Sequence, residues 1–389
     1  MKVKKVLMMA SVASMIDLFN RDNISILRDM GFEAHVACNF EFGSITSQER
    51  VDEFRKELEE KQIKTFQIPV PRSIHLISDI FKSYKLMKKL CEENHYDIVH
   101  CHSPIGGVIA RLACKGTRKQ GTKVIYTAHG FHFFKGAPIK NWLVFYPIER
   151  ICARYTDVLI TINKEDYEVA KKFPAGRIVN IPGIGIHTEE FKNTIVNLEE
   201  KRAEFGINKN DFIFMSVGQI SKRKNHEVII KALSLIEDKK VKYLIIGFGE
   251  LEHQLKELVK ELKLEDRVIF GGYRKDIKEL LHIANGFAFP SRQEGLPVAL
   301  MEAMSVGQPI ICSRIRGNTD LVEEGQGGYL YDYNDYKGFA DGMRKILKAN
   351  RNDEMKIINQ ETMKKFDIVN VNNQMKDIYM SLSEGGNNI

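Results

Sequence analysis

Two carboxylates set eight positions apart stand in the chemically most suggestive stretch of the chain, Pro290-Ser291-Arg292-Gln293-Glu294-Gly295-Leu296-Pro297-Val298-Ala299-Leu300-Met301-Glu302-Ala303-Met304. A helix starting near Pro297 would leave Glu294 in the loop before it and carry Glu302 along its first turns. Ionised carboxylates accept hydrogen bonds strongly from hydroxyl pairs such as those of sugars and riboses. The free amides at a helix start favour an anionic diphosphate. A capping Glu beside a second, solvated Glu is the plain alternative, and the strand, loop, Gly, Pro and helix context weighs against it.

A second element, Val217-Gly218-Gln219-Ile220-Ser221-Lys222-Arg223-Lys224-Asn225, ends another apolar run. A departing diphosphate gains negative charge in the transition state, so a cation there lowers the barrier. Lys224 is the first choice, with Lys222, Arg223 or a plain surface cluster as alternatives. The N-terminal half carries His100-Cys101-His102-Ser103-Pro104 and Thr127-Ala128-His129-Gly130-Phe131-His132, each after an apolar run. Zinc ligation by these His and Cys residues lacks ordered spacing. For His129 and His132 a satisfied structural histidine is the competing reading. Gly247-Phe248-Gly249 is followed by Glu252 where a dinucleotide fingerprint needs Gly or Ala, and no phosphate-loop motif or D-x-D occurs.

These segments need positioning by a regular framework. Strands are expected at 3–10, 34–38, 65–68, 97–101, 123–127, 157–161 and 178–181, and again at 212–217, 243–246, 267–270, 286–289 and 309–312. Helical patterns such as 77–92 and 164–172 separate them, which makes a β-α-β series and parallel sheets. A helix is expected over 361–382. The pattern lapses near 183–200, the expected linker. At 389 residues the chain is long for one core, so two domains are expected. Ligands then bind outside the carboxyl ends of the strands, where two facing sheets make a cleft.

Composition narrows the classes. With 43% hydrophobic and 28% charged residues the chain is an ordinary globular α/β protein. The formal charge of +7 is concentrated N-terminally: between Ile98 and Ile148 there are seven Lys/Arg and no acid, interleaved with Phe131, Phe133, Phe134, Trp142, Phe145 and Tyr146. An anionic membrane surface or a lipid-linked acceptor fits such a segment, as does a solvated helix face beside an aromatic core. No recognition module points to nucleic acid. The six cysteines, without C-x-x-C, read as buried thiols in a reducing compartment. The apolar start reads as a buried first strand rather than a signal peptide, and no run of about 18 apolar residues exists to span a membrane.

On these motifs the chain resembles, over nearly its whole length, the retaining glycosyltransferases of family 4 with the GT-B fold, similar to bacterial capsular and exopolysaccharide enzymes. The resemblance implies two Rossmann-like parallel-sheet domains facing across a cleft: an acceptor-binding domain over 1–185, a nucleotide-sugar donor domain over 200–365, and a C-terminal helix over 366–389 crossing between them. It implies a metal-independent hexosyltransferase without cofactor. Catalytic roles fall on Glu294, His102 and Lys224. Glu294 lies near the donor sugar, Glu302 near the ribose, and Gly218, Gln219 and Lys224 at the phosphates, with Gly295, Leu296 and Val298 completing the donor site. His102 would contact donor sugar or phosphate, while His129, His132 and Ser14 would line the acceptor side.

This chain departs from the pattern in three places. Gln219 stands where many relatives have Arg, and Ser11-Val12-Ala13-Ser14 replaces a glycine-rich loop. Pro297 stands where others have glycine, so the amide must come from Val298. The implied partners are a nucleotide-sugar donor, UDP being the commonest, and a polyprenyl-linked or saccharide acceptor in cell-surface polysaccharide synthesis. The implied location is cytoplasmic, at the inner face of the cell membrane. A sugar-nucleotide epimerase and a non-catalytic sugar-nucleotide-binding scaffold are the alternatives.

Overall fold

Thirteen strands, all paired in parallel, form two sheets in the computed structural model, which describes residues 3–348 and 352–383. In the first sheet are β1 (Lys5–Val12), β2 (Glu33–Asn39), β3 (Lys64–Gln67), β4 (Ile98–His102), β5 (Lys123–Ala128), β6 (Val158–Thr161) and β7 (Arg177–Asn180), in the order β3-β2-β1-β4-β5-β6-β7. In the second are β8 (Phe212–Val217), β9 (Val241–Ile246), β10 (Val268–Gly272), β11 (Gly286–Phe289), β12 (Ile310–Ser313) and β13 (Gly328–Tyr331), in the order β10-β9-β8-β11-β12-β13. Helices cover both faces, so a central strand is apolar throughout: β1 reads KVLMMASV and is buried from Val6 onward.

The strand order reverses direction in each sheet, between β1 and β4 and between β8 and β11. Connections on the two sides of such a point leave in opposite directions and open a crevice at the carboxyl ends, where open α/β sheets bind ligands. In the second sheet that brings the loop after β8 and the loop after β11 side by side, through the pairing of Gly286 with Phe214 and Phe287 with Met215. Both segments singled out by their chemistry are those loops.

Two compact units divide the chain, one running to Ile184 and resuming at Val369, the other Gly185–Ile368. Each has its own core, around Leu7, Val99 and Val124 in the first and Phe214, Ile245 and Ile311 in the second. The helix Ile368–Ser383 buries Val371, Met375, Ile378 and Tyr379, and Tyr379 reaches His100 of β4 in the first unit. Residues 384–389 of the expected C-terminal helix, like 1–2 of the first domain, lie outside the described residues.

Two expectations differ from the structure. β13 was not foreseen: it is four residues long, GYLY, at the sheet edge, too short to show alternation. The expected continuous helix over 361–382 is broken. The helix Asn352–Met363 tightens into a short 3-10 turn, Asp367 turns extended, and a new helix starts at Ile368. The cause is a local strand-like bridge, in which Ile186 N donates to Phe366 O at 3.1 Å and Ile368 N to Ile186 O at 2.9 Å. The Asp367 carboxylate, accepting from the Thr188 hydroxyl at 2.5 Å, holds the break open.

Candidate functional site

Lys224 and Glu294, on the loops after β8 and β11, meet at 2.9 Å through Nζ and Oε1. Arg223 Nη1 reaches the same oxygen at 2.7 Å. The Lys224 ammonium also sits 4.5 Å from the centre of the Phe289 ring, a cation held against an aromatic face. The loop must come this close because position 218 is glycine: its φ is +148°, and a Cβ there would lie 3.0 Å from Lys224 Cε. Gly218 itself is partly buried, while Gln219 is exposed.

Burial works against both charges of the pair. For Glu294 the Lys224 and Arg223 cations outweigh it and hold the carboxyl below its ordinary range. For Lys224 desolvation prevails over the attraction of Glu294, and the ammonium is pulled below the usual lysine value. Glu302, by contrast, lies on the helix Val298–Val306 with no side-chain hydrogen bond among the described contacts, and burial raises it to about 7. Lys278 only partly offsets that rise.

The start of the same helix supplies donors. Pro297 is its cap and makes no side-chain cap bond, and the first turn closes from Met301 N to Pro297 O at 3.2 Å. The amides of Val298, Ala299 and Leu300 precede that bond and have no intrahelical acceptor. Leu296 is buried, so its side chain offers little surface to a ligand. Gly295 is pinned from behind: Arg316 Nε donates to Glu294 O at 3.1 Å, and Gly317 approaches so near that a Cβ would lie 2.4 Å from Gly295 O.

Sequence reasoning missed the residue that ties the two loops together. Asn225 adopts a left-handed backbone with φ +60°, and its amide donates to Pro290 O at 3.0 Å and to Tyr333 O at 2.7 Å. Its carbonyl accepts from Arg292 Nη2 at 2.9 Å. Asn tolerates that conformation better than most residues. Its place just before an apolar helical run was the available signal.

The first unit carries a cavity of about 580 Å³ at the carboxyl ends of β1, β4 and β5, with Ser11, Ser103, Tyr126, His129, His132 and Phe145 among its lining residues. His129 and His132 therefore share one cavity. Ser14 does not line it: its side chain is buried and its Oγ accepts from Ile45 N at 3.1 Å, fixing a loop. His102 is 1% exposed, with Nδ1 3.1 Å from His129 Nε2 and Nε2 3.2 Å from Met8 Sδ. Both its ring nitrogens are occupied by protein, so in this arrangement it reaches no phosphate directly.

His100, one pleat along β4, bonds Tyr379 Oη and Thr127 Oγ1, both at 2.8 Å, and its ring centre lies 4.2 Å from that of His102. Desolvation lowers His100 to about 3 and His129 to about 4, and holds His102 well below the ordinary histidine value. Among the described residues no three His, Cys, Asp or Glu side chains are grouped to hold a metal ion. Beneath the cavity, Arg111 Nη1 and Glu149 Oε2 pair at 2.8 Å in full burial, with the guanidinium 3.9 Å from the Tyr126 ring centre.

Residues 197–364 match the family described as glycosyl transferases group 1, and residues 5–163 match glycosyl transferase 4-like. The chain is 36% identical to the putative glycosyltransferase EpsD of Bacillus subtilis, over 97% of this chain and 96% of that protein. It is 32% identical to an Escherichia coli UDP-Gal:α-D-GlcNAc-diphosphoundecaprenol α-1,3-galactosyltransferase, over 82% and 84% of the two chains. In fold it is similar to Anabaena HepE, solved with UDP and glucose, with a TM-score of 0.76, 20% identity, and 97% and 100% of the two chains covered. The architecture is that of GT-B glycosyltransferases.

Proposed function

Because this chain belongs to the group 1 glycosyl transferases, we propose that it moves a sugar from a UDP-sugar to a lipid-linked diphosphate saccharide, with retention at the anomeric carbon, in cell-surface polysaccharide synthesis. The observation that carries this reading is the meeting of Lys224, Arg223 and Glu294 beside the open helix start at the β8/β11 reversal. Cations and amides there suit a departing diphosphate, whose charge grows as the bond to the sugar breaks. The UDP complexes of HepE and the diphosphoundecaprenol acceptor named for the E. coli relative support the choice of donor and acceptor.

In this mechanism the acceptor hydroxyl attacks the anomeric carbon from the face that the diphosphate leaves. The carbon–oxygen bond to the β-phosphate breaks as the new glycosidic bond forms, and the departing phosphate oxygen takes the hydroxyl proton. Lys224, with the amides of Val298, Ala299 and Leu300, stabilises the leaving group. Glu294 orients the sugar hydroxyls and Glu302 accepts from the ribose. No metal or cofactor has a part in this scheme.

The acceptor end of the proposal places the first unit at an anionic membrane surface on the cytoplasmic side. Five of the six aromatic residues of the basic segment do not serve this: Phe131 and Phe133 are buried, and Trp142, Phe145 and Tyr146 pack against the core. The outer face of the helix Ile139–Ala153 instead exposes Ile139, Leu143, Val144 and Ile151, with Lys140 and Arg150 exposed among them. Ile74, Leu76, Ile77 and Phe81 are likewise exposed at the start of the helix Ile77–Asn94, and Ile74 lines the same cavity as Phe145. Apolar side chains set among cations are what an anionic bilayer surface binds. No helix among the described residues is long and apolar enough to cross a membrane.

The test is mass spectrometry and proton NMR of products from a panel of sugar nucleotides mixed with undecaprenyl-diphosphate saccharides, the masses reporting transfer and the anomeric and ring-proton couplings reporting configuration. Transfer of one hexose with the anomeric configuration kept supports the proposal. Consumption of donor without acceptor indicates an epimerase, and donor binding with no turnover on any acceptor indicates a scaffold.

A further inference from the structure

His129 is held at its Nε2 by His102, and His102 is held in turn at its own Nε2 by Met8. A thioether sulfur has no proton to give, so the His102 Nε2 facing it carries the hydrogen. A neutral imidazole has one N–H, which leaves His102 Nδ1 a lone pair. That lone pair, 3.1 Å from His129 Nε2, takes a hydrogen bond only if His129 Nε2 is the protonated nitrogen. His129 Nδ1 is then bare.

We propose that His102 and Met8 are positioning residues that lock His129 in its Nε2–H tautomer, so that His129 offers the acceptor substrate a hydrogen-bond acceptor and no donor. The neutrality the chain requires is enforced by burial, which holds all three clustered histidines far below their ordinary value. His100 closes the cluster from the other side, since its ring lies over His102 while Tyr379 and Thr127 occupy both its nitrogens. Its ring therefore cannot swing to offer His102 another partner.

A bare nitrogen on a residue that lines the cavity repels phosphate oxygens and attracts a hydroxyl or amide hydrogen. What His129 touches rests on the glycosyl-transfer reading: it binds a hydroxyl of the acceptor sugar beside the attacking one, whose own proton goes to the departing phosphate oxygen. Such a bond is present before and during transfer alike, so it sets the acceptor KM and leaves kcat nearly unchanged.

The assignment is tested by nitrogen-15 NMR of the full chain labelled at histidine, with His129 identified by the signals lost in His129→Asn. Expected is a protonated Nε2 and a bare Nδ1. His102→Gln, whose side-chain carbonyl still accepts from His129, keeps that signature and an unchanged acceptor KM. His102→Phe removes the acceptor, mixes the two tautomers in the spectrum and raises the acceptor KM about twofold, because the population able to accept falls by about half. A proton on Nδ1 of His129 in the unaltered chain overturns the proposal, as does a single unchanged tautomer in His102→Phe. Should His102→Phe fail to fold, the spectra of the unaltered chain and of His102→Gln decide. Absence of sugar transfer by the unaltered chain would sink the transfer reading while leaving the tautomer assignment intact.

Discussion

Glu294 Oε1 is shared by two cations from one loop, Arg223 at 2.7 Å and Lys224 at 2.9 Å, across 71 and 70 residues of sequence. One carboxylate thus sets the position of the positive charge at the crevice. Removing it leaves the two cations to repel each other, and removing Lys224 takes away the buried one.

Glu294→Gln and Lys224→Ala should each lower kcat about a hundredfold or more, the range for loss of one group that meets developing charge. Lys222→Ala, outside this contact, should stay within about twofold of the unaltered chain. Steady-state kinetics with a fixed donor and acceptor measures all three. Normal rates in both Glu294→Gln and Lys224→Ala would remove the assigned roles.

Glu302 gives a prediction in pH. Its folded value of about 7 lies above the ordinary 4.5, so the folded chain holds a proton there that the unfolded chain has released. The contribution to stability is fully present below about pH 4.5 and is lost as pH rises through about 7. The full span amounts to about 3 kcal/mol as an upper bound. Glu302→Gln carries no such proton, so its stability relative to the unaltered chain should rise between pH 5 and pH 8. Urea unfolding at those two pH values measures this, and an equal difference at both would show that Glu302 titrates normally.

The donor-side loops were legible because Gly, Pro and clustered charge interrupt the apolar runs where ligands gather. Alternating strand and helix patterns likewise gave both sheets, apart from β13. The histidine chain was legible only as a set of residues. On β4, His100 and His102 share one face because strand side chains alternate, yet a strand buried on both sides shows no polarity to say whether they meet solvent or one another. Met8 on β1, Thr127 on β5 and Tyr379 near the C-terminus complete their contacts, and none is near them in sequence. The break at Asp367 was invisible for the same reason, since Ile186 makes it.

Arg111 and Glu149 form a buried pair that links the helix Pro104–Ala113 to the helix Ile139–Ala153 beneath the cavity. Breaking such a pair from one side leaves an uncompensated buried charge, while replacing both partners with apolar residues of similar size does not. Glu149→Leu alone should cost about 3–5 kcal/mol, and the double change Arg111→Met with Glu149→Leu clearly less. Denaturant unfolding of the single and double variants compares them. A double variant no more stable than the single one would mean that the pair contributes through packing alone.

The outer face of the helix Ile139–Ala153 supplies the test of membrane contact. Ile139 and Leu143 are 76% and 73% exposed, one turn apart, so changing them disturbs no core contact. Ile139→Asp with Leu143→Asp replaces apolar surface with charge that anionic lipid repels. Sedimentation with liposomes containing phosphatidylglycerol should fall at least tenfold, while turnover on a short, soluble acceptor stays unchanged. Neutralising Lys135 and Lys140 should weaken sedimentation mainly at low salt, because screening already removes their attraction at high salt. Equal sedimentation of the aspartate variant and the unaltered chain would place the lipid contact elsewhere on the first unit or abolish it.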